Sequence, residues 1–156
     1  MWRVLKANEN GLTLIELITV VSIFSIIVLI TVPKTDFFSS KTSEMRLRMV
    51  AYELINDIRY VQYKNIYENE SLYLTLQSDH KGYFIHKPGT MVKRIKTKKF
   101  PDGITVYSNN SMEISFSDQG APTLGGCTIS LYNDSNKKVD ITILPATGRV
   151  MIKGNY

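Results

Sequence analysis

The chain is poor in the residues that usually carry chemistry. Its 156 residues include one cysteine, Cys127, and two histidines, His80 and His86. A single thiol excludes an intramolecular disulfide, and with it a small disulfide-stapled scaffold. Free cysteine is more often a small buried residue than a reactive one, so Cys127 is expected in the core. One cysteine and two scattered histidines offer no zinc-type ligand cluster, and both histidines are expected on loop or strand surface. No nucleophile–base arrangement, G-x-G-x-x-G pattern or phosphate-binding loop occurs, so neither an enzyme nor a cofactor is expected. Charge is modest as well. Nineteen Lys and Arg against 14 Asp and Glu leave a net +5, too small an excess to indicate nucleic acid by itself. Alanine is missing between Ala7 and Ala51.

That last gap bears on the one long apolar run. Leu17 to Val32 carries no charge, and a short polar leader holding Arg3 and Lys6 precedes it. The 21 residues from Leu12 to Val32 make about 31 Å of helix at 1.5 Å per residue, matching a hydrocarbon core of roughly 30 Å. The basic leader predicts a cytoplasmic N-terminus with the remainder outside. A secretory signal peptide needs small residues at a cleavage site just beyond the run; V-P-K-T-D-F-F follows instead, with Ser39-Ser40 the nearest substitute. A plain single-pass anchor or a buried soluble helix remains open, but neither needs Glu16. A carboxylate buried in such a run costs roughly 2.5–3.5 kcal/mol on insertion scales, so one at its edge marks a functional residue.

Gly11-Leu12-Thr13-Leu14-Ile15-Glu16 resembles the class III signal of the type IV pilin and pseudopilin superfamily. That signal is a glycine, a hydrophobic residue and T-L-I-E ahead of an apolar helix. Pro33 falls where the superfamily commonly has a proline, twenty-two residues into the mature chain counted from Leu12; Leu12 itself departs from the usual phenylalanine. The resemblance implies cleavage between Gly11 and Leu12 by a prepilin peptidase and N-methylation of Leu12. It further implies a filament in which Glu16 of an incoming subunit neutralises a neighbour's new α-amine. Such an amine is cationic near neutral pH, and charges in a low-dielectric bundle are tolerable when paired. The implied partners are other pilins or pseudopilins in a helical filament, the peptidase, an assembly platform membrane protein and the cytoplasmic membrane. The chain would sit in that membrane before assembly, its C-terminal part outside.

Beyond Pro33, Leu47, Val50, Leu54, Ile58 and Val61 recur at steps of three and four, with Ala51 and Ile55 beside them. This is one apolar face of a helix. A second set, Met45, Met49 and Tyr52, is expected to pack inside. From Ser71 the pattern turns to short strands between Gly, Pro, Asn and Asp clusters. They are expected at 71–77, 82–87, 91–95, 104–108, 112–117, 128–132, 139–144 and 149–153. One small antiparallel sheet is expected, covered by the amphipathic helix. The fold class is thus α+β, a long N-terminal helix packed on a C-terminal β domain. Its parts are a leader (1–11), a transmembrane and polymerisation helix (12–33), an amphipathic helix (34–68) and a β domain (69–156).

Phe116 to Pro122 (F-S-D-Q-G-A-P), the stretch around Cys127 and D-I-T-I-L-P-A-T-G-R-V-M-I resemble the GspH/FimT group of minor pseudopilins and pilins. Asn56 to Ile66 resembles the same group and the competence pseudopilin ComGD. These similarities imply a minor subunit of a pilus, a competence pseudopilus or a type II secretion-like filament. Thr147 to Val150 reads as a glycine-dependent hairpin turn. Lys93, Arg94, Lys96, Lys98 and Lys99 form a basic run. The favoured reading is an edge strand kept from aggregating by its lysines. The alternative is a phosphate-contacting stripe, on a membrane-anchored adhesin or DNA-binding subunit.

Overall fold

The computed structural model describes residues 13–31, 35–89 and 92–153. Gly11, Leu12 and Pro33 lie outside the described residues. The chain divides into two compact units, Met1–Phe38 and Ser39–Tyr156.

The first unit contains α1, Leu14–Thr31. Its large apolar side chains, from Leu14 round to Ile30, are all exposed. The hydroxyls within it turn back to the helix: Thr19 donates to the Glu16 carbonyl at 2.8 Å, Ser22 to Ile18 at 2.7 Å and Ser25 to Val21 at 2.8 Å. Such back-bonding satisfies polar groups that an apolar medium would leave unpaired. At 18 residues the helix measures about 27 Å. Over its described residues, no helix of the chain is long and apolar enough to cross a membrane.

The second unit is built on α2, Thr35–Tyr67, from its residue Ser39 onward, and on eight strands. These are β1 Tyr73–Leu76, β2 Gly82–Lys87, β3 Lys93–Lys99, β4 Ile104–Ser108, β5 Glu113–Ile114, β6 Cys127–Asn133, β7 Lys138–Ile143 and β8 Val150–Lys153. They form two four-stranded sheets, ordered β3-β2-β1-β5 and β4-β6-β7-β8, with every ladder antiparallel. The expectation of one sheet is therefore corrected to two. The cause is pairing that local pattern cannot express. After Pro101 and the left-handed Gly103 (φ 83°), β4 pairs forward with β6, while the two-residue β5 pairs back with β1.

Alternation along the strands sends Leu74, Ile85, Val106, Ile129, Leu131 and Ile141 inward, each fully buried. They join the helix face of Leu47, Val50, Ala51, Leu54, Ile58 and Val61 in one core. Each fully buried aliphatic side chain contributes about 1.5–3 kcal/mol of burial. Cys127 is buried in this cluster, and burial pushes its thiol pKa up.

Two polar side chains of α2 fasten the loops. Asn65 is buried; its amide nitrogen donates to the Leu72 carbonyl at 3.1 Å, the Phe116 carbonyl at 2.9 Å and Ser115 Oγ at 3.2 Å, and its oxygen accepts from Leu72 N–H at 2.9 Å. Gln62 donates to the carbonyls of Gly120 (2.9 Å) and Gly148 (3.2 Å). Gly148 has φ 62°, and a Cβ there would run into the Gly120 carbonyl. The F-S-D-Q-G and T-G-R-V segments, far apart in sequence, thus meet at one glutamine.

Candidate functional site

Two places bear on function: the start of α1 and the surface of the second unit. At the start of α1, Thr13 is the N-cap and Glu16 the third helical residue. The Glu16 N–H donates to Thr13 Oγ1 at 3.4 Å, and the Thr13 hydroxyl donates to Glu16 Oε2 at 3.5 Å. The spacing T-x-x-E is that of a capping box, a signal the sequence reading overlooked. The helix N-terminus also carries partial positive charge that favours a carboxylate. Glu16 therefore has local support within its own chain, although its bonds are long and exposed. It is the one charged side chain in α1. A helix apolar on every side, with one carboxylate in its first turn, can associate with lipid or other helices and mark a single axial position among them.

On the second unit the basic run splits. β3 is an edge strand of its sheet, with a bulge opposite the Ile85/His86 step. Lys96 turns to the buried Asp57 on α2, its Nζ 2.8 Å from Oδ1 and 2.6 Å from Oδ2, and Lys98 pairs with Glu53 at 2.7 Å. Asp57 also accepts the Tyr83 hydroxyl at 2.5 Å; burial and then the Asp57 carboxylate hold the Tyr83 pKa well above the phenol range. Arg94 lies over the Phe84 ring, 4.7 Å from its centre, while Lys93 and Lys99 are exposed. Two of the five cations are thus compensated by carboxylates of the helix, which leaves a weaker field than five adjacent charges imply.

Two other expectations are corrected. His86 is buried rather than on the surface, stacked on Tyr73 at 5.7 Å and beside Phe84 at 5.3 Å. His80 sits in a turn with φ 59°, its Nδ1 2.9 Å from the Val106 carbonyl. Met45, Met49 and Tyr52 do not pack inside: they are 64%, 65% and 56% exposed. The core face of α2 already fills the space over the sheets, so the opposite face remains outside. No group of three or more His, Cys, Asp or Glu able to hold a metal occurs among the described residues.

Residues 6–32 match the prokaryotic N-terminal methylation motif. No curated protein matches the chain significantly by sequence. Among solved structures, the minor pseudopilin EpsH of the Vibrio cholerae type 2 secretion system superposes with a TM-score of 0.60 at 8% identity, over 70% of this chain and 97% of that one. The type IV minor pilin FimU of Pseudomonas aeruginosa gives 0.59 at 13% identity, over 68% and 91%, and in a second crystal form 0.60 at 12%, over 75% and 92%. The chain thus carries a prokaryotic N-terminal methylation motif over residues 6–32 and shares the α+β fold of those minor pilins and pseudopilins.

Proposed function

We propose that the chain is a minor subunit of a membrane-extruded filament, processed between Gly11 and Leu12 and N-methylated on Leu12. The observation that carries this reading is the lone carboxylate of Glu16 in the first turn of a helix otherwise apolar and self-satisfied. In the membrane, the run from Leu12 to Val32 is the anchor and the β unit lies outside the cytoplasm. On assembly, Glu16 exchanges its long bond with Thr13 for the α-amine of a neighbouring subunit, which sets the axial register of an otherwise slippery apolar surface. Charge pairing in low dielectric makes that exchange favourable, since a lone buried charge is strongly penalised. Prepilin peptidase, sibling pilins and an assembly platform protein are its working partners. Both relatives whose folds it shares are minor subunits, one of a pilus and one of a secretion pseudopilus.

The test is Glu16→Ala in cells that make the filament. Membrane insertion and cleavage stay intact, while the variant's share of sheared filaments falls at least tenfold, the factor corresponding to about 1.4 kcal/mol. Undiminished incorporation overturns the role of Glu16. Gly11→Val leaves an uncleaved, heavier chain in the membrane; normal cleavage of that variant overturns the processing site.

The basic strand gives less support to the DNA-binding alternative, because Lys96 and Lys98 are engaged by Asp57 and Glu53.

A further inference from the structure

The outward face of the β3-β2-β1-β5 sheet, away from the core, holds a groove built around one irregularity. Lys96 and Lys98 point to the helix side of β3, where they meet Asp57 and Glu53. Strict alternation would put Arg94 on that side as well. The bulge opposite the Ile85/His86 step leaves Ile95 as an extra residue, so His86 pairs with Arg94 and Arg94 turns to the other face, over the Phe84 ring. Bulges re-aim side chains in this way while disrupting the local ladder. On the far side of the same sheet, the two-residue β5 sets Glu113 opposite Thr75 of β1. Thr75 in turn pairs with Phe84 of β2.

These side chains line an open groove of about 680 Å³: Arg94 from one edge strand, Glu113 from the other, and Thr75, Phe84 and His86 between them. That volume lies within the range of small-molecule sites. Its polar groups are left without partners. Arg94 has no carboxylate partner among the described residues. Glu113 comes no nearer to His86 Nε2 than 3.6 Å, too long for a hydrogen bond. Thr75 Oγ1 and His86 Nδ1 are buried and bond to nothing, and His86 as a whole is only 8% exposed. Buried polar atoms without partners are uncommon. Both atoms are shut off from solvent, so a ligand gains them only when the Phe84 or His86 ring turns.

The balance of charge narrows the ligand. A polyanion would meet Glu113 and a polycation would meet Arg94, and like charges brought together are penalised. A zwitterion could pair with both, but ion pairs across an open groove contribute little. A hydroxyl both donates and accepts. Neighbouring hydroxyls of a sugar can therefore accept from the guanidinium and donate to the carboxylate, while the sugar's C–H face covers the aromatic rings. We propose that this groove binds a short neutral oligosaccharide, with Arg94 and Glu113 as its two hydrogen-bonding ends. The site needs only the second unit and stands whether or not the chain enters a filament.

Saturation-transfer NMR on the full chain, in a detergent without a sugar headgroup, tests it with maltose, cellobiose and N,N′-diacetylchitobiose. The dipeptide alanyl-alanine is the zwitterionic comparison. Transfer to the ring protons of at least one saccharide is expected, at least fivefold above that to the dipeptide. Arg94→Ala and Glu113→Gln each lower it at least fivefold with the denaturation midpoint unchanged, whereas Lys99→Ala, on the same strand outside the groove, leaves it as it was. Thr75→Val removes a hydroxyl that the fold does not use, so it weakens the signal without lowering stability. No transfer to any of the three saccharides overturns the site. So does a dipeptide signal as strong as theirs, or saccharide binding that survives both Arg94→Ala and Glu113→Gln.

Discussion

The two units of the chain treat apolar surface in opposite ways. In α1, Ile15, Val21, Phe24 and Leu29 are more than half exposed, and nothing within the helix covers them. In the second unit, Leu54, Ile58, Leu74, Val106, Ile129 and Ile141 are fully buried in one core. The hydrophobic effect rewards burial regardless of partner. The second unit therefore spends its apolar residues on its own stability, whereas α1 offers its own to lipid or to other chains. α2 has both characters at once: one face completes the core and the other, lined by methionine and tyrosine, stays outside.

The sharpest way to break this contrast is to cut the same kind of side chain in each unit. Leu54→Ala removes a fully buried group and is expected to cost about 2–5 kcal/mol in chemical denaturation of the full chain in detergent. Ile23→Ala, on a side chain 58% exposed, is expected to change that value by under about 0.5 kcal/mol. Equal losses would show that α1 belongs to the same cooperative unit as the core.

A smaller effect is expected from polar fastening. Asn65→Ala strands the Phe116 carbonyl and removes one of two partners from the Leu72 N–H and carbonyl, which keep the Glu70 carbonyl and Ser115 Oγ. Stranded buried groups of this kind cost about 1–3 kcal/mol, read by the same denaturation and by faster amide exchange at Leu72. An exposed asparagine such as Asn56 should show neither when changed to alanine.

The smallest concerns pH. Tyr83 is protonated in the fold above the pH at which a free phenol ionises. Between about pH 10 and its raised native value, the unfolded chain binds fewer protons than the native one, so stability falls as pH rises, with a slope approaching about 1.4 kcal/mol per unit. Below pH 10 this contribution is fully present. Denaturation at pH 9 and 11 should show the loss, and Tyr83→Phe should flatten it; an unchanged slope would place the titration elsewhere.

How much was legible follows from the range of each interaction. The apolar run and the three-four spacing from Leu47 to Val61 are local patterns, readable because a helix pairs its backbone within one turn. β2 and β4 also stood out at their observed limits, bounded by turn residues. The partners of β5 were not legible, since Leu74 and Ile114 meet across 40 positions and no local rule selects that pairing. Nor was the fate of Lys96, whose carboxylate lies 39 positions away on α2, or the burial of His86 beneath Tyr73 and Phe84.

Sequence alone determined the N-terminal signal, the two helical faces and the alternation of the strands, because these depend on neighbours within a few residues. Tertiary structure alone decided that the strands divide into two sheets, that Asn65 and Gln62 tie distant loops to the helix, and that the Met/Tyr face stays outside. The physical reason is that only one face of α2 can reach the core; which groups meet it depends on chain closure across tens of residues, where entropy and packing, rather than local preference, select the contact.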